Sequence, residues 1–300
     1  MADKVFVRLD QRAVIEIGGE DRRTFLQGLV SNDMNRVADD RAVYSGLLTP
    51  QGKFLFDLFV VERGDVFWLD VEAARAEALC KKLSMFKLRA KVTITPAADI
   101  AVFAALGDGA AAQLDLTAEA GAAQEFAAGI AFVDPRLAEA GLRLLLPADG
   151  GPRVLEANGF APAEFEVWDR SRLALGLPDG SRDVEVDKGL LLENGFDELG
   201  GVDFKKGCYM GQELTARTKY RGLIRKRLMP VEISGPAPAA GAEIRLGEAE
   251  AGEMRSSCGT LGLALIRLDQ FRACGGVGFT SGAATLTARQ PGWAVFPETE

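Results

Sequence analysis

The apolar pattern of the chain changes near Arg227, and this change constrains the fold more than any other feature. Downstream, short β-prone runs at 228–233, 243–246, 252–256, 261–267 and 282–287 are separated by turns with glycine or proline. Such spacing is typical of a small antiparallel barrel. Upstream, β-prone runs alternate with helical segments. The sequence therefore predicts an α+β protein, with a first region at 1–224, built of two interleaved subdomains, and a C-terminal barrel at 225–300.

The stretch FKKGCYMGQELTARTKYRG, residues 204–222, reverses the charge of an acidic chain. Residues 205–227 hold eight Lys or Arg against one acid, Glu213, whereas the whole chain carries −8. Nearby cations favour the thiolate, the reactive form of cysteine. We therefore predict that Cys208 is a functional thiol. The alternative is that it packs as a small hydrophobe, as most free cysteines do.

Several kinds of site are disfavoured by composition. The chain has no histidine, which removes the commonest general base, the Ser-His-Asp arrangement and most catalytic zinc sites. The four cysteines are well separated and form no C-x-x-C pair, so no metal or cluster-binding spacing is visible. These absences favour a binding protein over a hydrolase.

The run KKGCYMGQE, continuing into ARTKYRG, resembles the K-G-C-[FYW]-x-G-Q-E motif of the YgfZ-type proteins. That family comprises tetrahydrofolate-binding relatives of the glycine cleavage T-protein, an aminomethyltransferase. FLQGLVSNDM and LLTPQGKFLFDLFV resemble its N-terminal elements, and GEMRSSCGTLGLALIRL resembles its C-terminal barrel. The resemblance implies T-protein-like α/β subdomains around a folate cavity, tetrahydrofolate as cofactor, and a role in making or maintaining iron–sulfur enzymes.

The resemblance also nominates site residues. Asp57 matches an aspartate that is catalytic and contacts folate in T-proteins; a structural ion pair is the alternative, because FLFDLFV looks buried on both faces. Glu193 is a candidate for the pterin edge, or else a solvated loop glutamate. The remaining folate-binding candidates come from the cysteine motif and are Lys206, Gly207, Tyr209, Gln212 and Glu213.

Arg217 and Arg221 are candidates to hold the carboxylates of a folate tail, since arginine binds carboxylates bidentately. The alternative is that both are solvated surface charges. A basic cluster on an acidic protein does not suit non-specific nucleic-acid binding, so folate rather than nucleic acid is the expected partner, with RNA as the alternative.

These features together predict a tetrahydrofolate-binding accessory protein for iron–sulfur enzymes, with client or assembly proteins as partners. A folate-dependent aminomethyltransferase or demethylase is the alternative. Ala174 weakens it, because T-proteins commonly have glutamate at the matching position. No secretory signal and no apolar run of about 20 residues are visible, so we expect a cytoplasmic protein without a membrane partner.

Overall fold

The computed structural model describes residues 4–296, which divide into two compact units. The first unit contains the described chain up to Leu48, together with Phe56–Trp168 and Leu199–Met210. The second contains Thr49–Leu55, Asp169–Glu198 and the described residues from Gly211 onward. Neither unit is one continuous stretch, because the chain passes between them several times.

A five-stranded sheet, most of it in the first unit, has the strand order β3-β4-β5-β2-β6. Its strands are β2 (Arg12–Gly18), β3 (Val43–Leu48), β4 (Phe54–Arg63), β5 (Val66–Glu72) and β6 (Thr93–Pro96). The first eight residues of β4 are all buried. This strand is therefore covered on both faces, as its continuous apolar run predicts.

A six-stranded sheet in the first unit has the order β11-β1-β7-β10-β9-β8. Its strands are β1 (Val5–Arg8), β7 (Ile100–Leu106), β8 (Ala123–Phe126), β9 (Gly129–Val133), β10 (Leu142–Pro147) and β11 (Ala161–Pro162). Alternate residues of β7 and β10, including Phe103, Leu144 and Leu146, are buried in one apolar cluster.

Short helices connect these strands. They are α1 (Arg22–Gln27), α2 (Ala76–Lys87), α3 (Ala110–Gln113) and α4 (Gly151–Ala157), with 3-10 turns at Met34–Arg36, Ala73–Arg75 and Ala138–Ala140. In α2, Leu79 and Leu83 share the buried face. Glu77 and Lys81 pair on its exposed side, also four residues apart.

The second unit is built on a closed barrel with the order β12-β15-β14-β13-β16-β17. Its strands are β12 (Lys226–Ser234), β13 (Glu243–Leu246), β14 (Ala249–Cys258), β15 (Leu261–Arg267), β16 (Phe279–Ser281) and β17 (Ala284–Ala288). Every pairing is antiparallel. Met229, Ile244 and Met254 fill its interior. The predicted antiparallel barrel is confirmed.

Three helices belong wholly or partly to the second unit: α5 (Phe165–Leu175), α6 (Gln212–Tyr220) and α7 (Leu268–Ala273). Two 3-10 turns, Gly180–Arg182 and Leu192–Asn194, lie between α5 and α6. Buried Arg172 fastens α5 to the barrel. Its Nε donates to Asp169 at 2.7 Å and its Nη2 to the Ser256 hydroxyl, in β14, at 2.7 Å.

Candidate functional site

Cys208 lies in a loop of the first unit, residues 203–210, which we call the Cys208 loop. The backbone N–H of Asp203 donates to the carbonyl of Ser31 at 3.0 Å, and that of Met210 donates to the carbonyl of Gly28 at 3.1 Å. Between these two bonds, Gly207 and Cys208 are exposed. Gly207 has a φ of +94°, which residues with a side chain rarely adopt. The loop is thus held at both ends, with its thiol at an open tip.

The side chain of Lys206 holds the loop near that tip. Its Nζ donates to three backbone carbonyls, those of Gln27 at 2.8 Å, Val30 at 2.5 Å and Asn32 at 2.7 Å. In return, the Gln27 amide donates to the Lys206 carbonyl at 3.2 Å. Burial lowers the pKa of Lys206 to about 8, against the opposing effect of two nearby carboxylates. At neutral pH the group is therefore still mostly an ammonium ion.

The surroundings of Cys208 differ from those of the other three cysteines. Cys208 is exposed, Cys80 and Cys258 are partly buried, and Cys274 is buried. Burial and the charge of Glu77 raise the pKa of the Cys80 thiol. Tyr209, next to Cys208, is 9% exposed, and its ring centre lies 5.2 Å from Lys206 Nζ. Cys208 is thus the most accessible of the four thiols, and it lies between hydrogen-bonded Lys206 and buried Tyr209.

Asp57 lies elsewhere in the first unit, inside a cluster of buried charges. It is 2% exposed, and Arg12 Nη1 donates to its Oδ1 at 3.2 Å. Arg12 Nε also donates to Asp70 at 2.6 Å, and Arg143 donates to the other oxygen of Asp70. Arg143 in turn contacts Asp134, which Arg136 binds at 2.8 Å. Three arginines therefore balance three aspartates.

Aromatic rings complete this cluster. The guanidinium carbons of Arg12, Arg136 and Arg143 lie 5.4, 4.8 and 3.7 Å from the centre of the Phe59 ring, which favours cations through its π face. Burial and the charge of Asp57 raise the pKa of Tyr44 well above its usual value. The negative charge of the Asp57 carboxylate is thus balanced by buried arginine. This agrees with the alternative given for Asp57, a structural ion pair.

Sequence reasoning singled out Asp57 and missed its partners. Asp70 in VFWLDVE and Arg143 in LRLLLP interrupt apolar strands in the same manner as Asp57 in FLFDLFV. A lone charge in a strand buried on both faces needs a partner of opposite sign. All three strands show this lone charge in an apolar run. The pattern predicts that each charge has a partner, but it does not indicate which charges pair.

The predicted folate contacts of the second unit lie on or near α6. Glu213, Arg217 and Arg221 are exposed, and Gln212 is partly buried in the first turn. The opposite face carries buried Thr215 and Thr218. The helix is therefore amphipathic, and its two candidate arginines both project into solvent.

Glu193 belongs to the 3-10 turn Leu192–Asn194. It is partly buried. Burial raises its pKa, while the positive charges of Lys226, Lys53 and Arg227 oppose that rise. Glu193 is therefore placed among cations of its own unit rather than solvated alone.

Across residues 4–296, no group of three or more Cys, Asp or Glu is arranged to hold a metal ion. None of the helices in the same range is long and apolar enough to cross a membrane. A cavity of about 860 Å³ opens in the first unit. Its lining includes Asp39, Asp40, Glu62 and Glu125. This acidic lining does not suit a ligand that carries several carboxylates.

Comparison with known proteins finds relatives of this chain by sequence. The chain is 35% identical to "Iron-sulfur cluster assembly factor IBA57, mitochondrial" of Mus musculus, over 88% of this chain and 78% of the relative. It is 34% identical to the Homo sapiens protein of the same name, over 95% and 84%. Residues 225–296 also match the family described as CAF17, C-terminal beta-barrel domain.

A solved structure shares the fold. The glycine cleavage system aminomethyltransferase T from Bartonella henselae superposes with a TM-score of 0.77 at 15% identity, over 96% of this chain and 85% of that one. The predicted T-protein-like fold and the resemblance to T-protein-like iron–sulfur assembly factors are confirmed.

The prediction of a cytoplasmic protein is wrong, because the relatives are named mitochondrial. That prediction rested on a missing secretory signal and a missing membrane segment, and neither feature distinguishes between compartments inside the cell. The predicted roles of the individual site residues stay predictions.

Proposed function

Because the chain belongs to the IBA57 family of iron–sulfur cluster assembly factors, we propose that it acts in this assembly through the thiol of Cys208. The observation that carries the proposal is the placement of Cys208, which is exposed at the tip of a loop anchored on both sides. An exposed thiol on a fixed loop can meet a partner protein with little loss of conformational freedom. The partners we propose are other iron–sulfur assembly proteins or client enzymes.

Replacement of the thiol tests this role. In cells that lack the protein, Cys208→Ala at normal protein levels should fail to restore the activity of iron–sulfur enzymes. Cys258→Ala is the matched control and should restore it, because Cys258 is a partly buried barrel residue. Full restoration by Cys208→Ala would refute a role for this thiol.

Tetrahydrofolate binding forms a second part of the proposal, supported by the motif resemblance and by the exposed guanidinium groups of Arg217 and Arg221. The other candidates fit less well, since Asp57 and Lys206 already use their polar atoms on protein partners. We therefore assign no chemical step to the ligand and limit the proposal to binding of its tail by the two arginines.

Calorimetry with tetrahydrofolate tests this binding. Loss of one arginine–carboxylate contact should weaken affinity about tenfold, so Arg221→Ala and Arg217→Ala should each lower it. Arg245→Ala, at an exposed barrel position, is the control and should leave affinity unchanged. Absence of heat with the wild-type protein, or equal affinity in all three variants, would reject the folate site.

One observation favours a second function, folate-dependent transfer of a one-carbon group, namely the fold shared with an aminomethyltransferase. Two observations weigh against it. Ala174 occupies the position at which T-proteins commonly have glutamate, and Asp57 is paired with Arg12. Turnover of an aminomethyl or methylamine donor to methylene-tetrahydrofolate would support the transferase, and no turnover across a donor panel would exclude it.

A further inference from the structure

The three carbonyls that meet Lys206 belong to the end of a short helix and the turn after it. Helix α1 has six residues, and Gln27 is its last. Carbonyls at the end of a helix lack partners within the helix and need donors from elsewhere. An ammonium group has three N–H donors, and all three of Lys206 are used by Gln27, Val30 and Asn32. The Lys206 ammonium therefore supplies hydrogen-bond donors to three carbonyls in the turn at residues 27–34.

Gln27 joins the two segments from the opposite side. Its amide nitrogen donates to the Lys206 carbonyl at 3.2 Å and to Asp33 Oδ1 at 2.9 Å. Its amide oxygen accepts from the backbone N–H of Met34 at 2.7 Å. Each segment thus contributes one side chain that bonds the backbone of the other, which fixes their relative position more firmly than a single contact would.

From this geometry we propose that Lys206 is a positioning residue for Cys208. It fastens the Cys208 loop to the turn at residues 27–34, so that the thiol two residues later is presented at one place. Charge-assisted hydrogen bonds are about twice as strong as neutral ones, which suits an anchor beside Gly207, where the backbone has a positive φ. Lys206 then has no donor left for a ligand, in contrast to the folate contact that the motif resemblance implies.

Amide hydrogen exchange of the purified protein tests the anchor directly. Lys206→Met removes the charge and keeps a stem of similar length. We expect the amides of Asp203 and Met210, which bond to Ser31 and Gly28, to exchange at least about tenfold faster. Lys205→Met is the matched control, since it removes the same charge from an exposed side chain one residue earlier, and wild-type exchange is expected. Wild-type exchange in Lys206→Met would overturn the proposal.

Cell activity tests whether the anchor serves the thiol, and this part rests on the proposed function of Cys208. Lys206→Met should lower iron–sulfur enzyme activity several-fold at equal protein levels, while Lys205→Met should not. Fast exchange combined with full activity in Lys206→Met would overturn the positioning role, even if Cys208→Ala is inactive. If instead Cys208→Ala is active, the role of the thiol fails, and the exchange data still decide whether Lys206 anchors the loop.

Lys206→Arg keeps the proposal testable if Lys206→Met does not accumulate. The planar guanidinium keeps the charge but directs its N–H groups differently from an ammonium, so it should satisfy the three carbonyls incompletely. We expect faster exchange and reduced activity, both smaller than in Lys206→Met. Wild-type values for both would overturn the proposal.

Discussion

Asp57 and Arg12 are charged residues whose side chains are buried in the core of the first unit. Removing two charges from water costs several kcal/mol for each ion, and close pairing offsets that cost. Arg12 bonds Asp57 and Asp70 at once, so that its guanidinium is shared between two carboxylates on neighbouring strands. The function of Asp57 that this pairing supports is structural.

Asp57→Asn should therefore lower the free energy of unfolding by about 3 kcal/mol, because it leaves a buried network with one excess positive charge. Urea titration followed by circular dichroism measures this change. Asp65→Asn is the control, since Asp65 lies in an exposed turn, and a change within about 0.5 kcal/mol is expected. Equal unfolding of the two variants would contradict a structural role for Asp57.

For single residues, the sequence indicates which ones are important more clearly than it indicates which residues they contact. The positive charge around Cys208 predicted a functional thiol; the residue is exposed, and its role stays a prediction. The acceptors of Lys206 lie 174 to 179 residues earlier in the chain. No local pattern specifies such a contact, because it depends on how the whole first unit folds.

Among the secondary-structure elements, the turn between β3 and β4 shows how a glycine decides the packing of a helix. Thr49 accepts a bond from the backbone N–H of Gly52 at 2.9 Å, and Gly52 has a φ of +81°. A Cβ at Gly52 would lie 2.6 Å from Leu214 Cβ and 2.7 Å from the Gly211 carbonyl. The turn can therefore lie against α6 only because residue 52 has no side chain.

Gly52→Ala should destabilise the protein through both its backbone angle and this clash, by at least about 2 kcal/mol. Gly64→Ala is a matched control. Gly64 has a φ of +56°, and a Cβ there would meet nothing within 4 Å. Urea unfolding of both variants isolates the packing contribution as their difference. An equal loss in the two would show that α6 moves aside without cost.

Strands with strong β propensity were predictable, and elements that depend on neighbours were not. Strand β7 lies at Ile100–Leu106, as its apolar run predicts. Strand β8 (Ala123–Phe126) lies in an alanine- and glycine-rich stretch without alternation and exists through its pairing with β9. Helix α7 has six residues, too few for a clear helical period. Pairing and packing, which a single sequence does not display, decide such segments.

In the molecule as a whole, the balanced cluster of arginines and aspartates joins the two sheets of the first unit. Asp70 on β5 accepts from Arg12 on β2 and from Arg143 on β10. Burial alone would raise the pKa of Asp134, but Arg136 and Arg143 lower it to about 2. A folded-state pKa below the unfolded value of about 3.9 gives stability that is present above pH 4 and lost as the pH falls toward 2.

The free energy of unfolding should accordingly fall between pH 4 and pH 2, with about 2 kcal/mol of the loss due to Asp134. Urea unfolding across this range measures the loss. Asp134→Asn should be less stable than wild type at pH 6 and should show a shallower decline in acid. Asp10→Asn, at an exposed position, should follow the wild-type curve. A wild-type slope in Asp134→Asn would contradict the assignment.

The closed barrel limits the ways in which another chain can approach the second unit. An open sheet offers unpaired backbone groups at its border, and an incoming segment can extend it as an additional strand. In a ring that runs from β12 through β15, β14, β13 and β16 to β17 and back, each strand already has a paired strand on both sides. A protein that binds the barrel must therefore contact its side chains and loops. The specificity of such binding depends on the chemistry of the barrel surface rather than on hydrogen bonds between backbones.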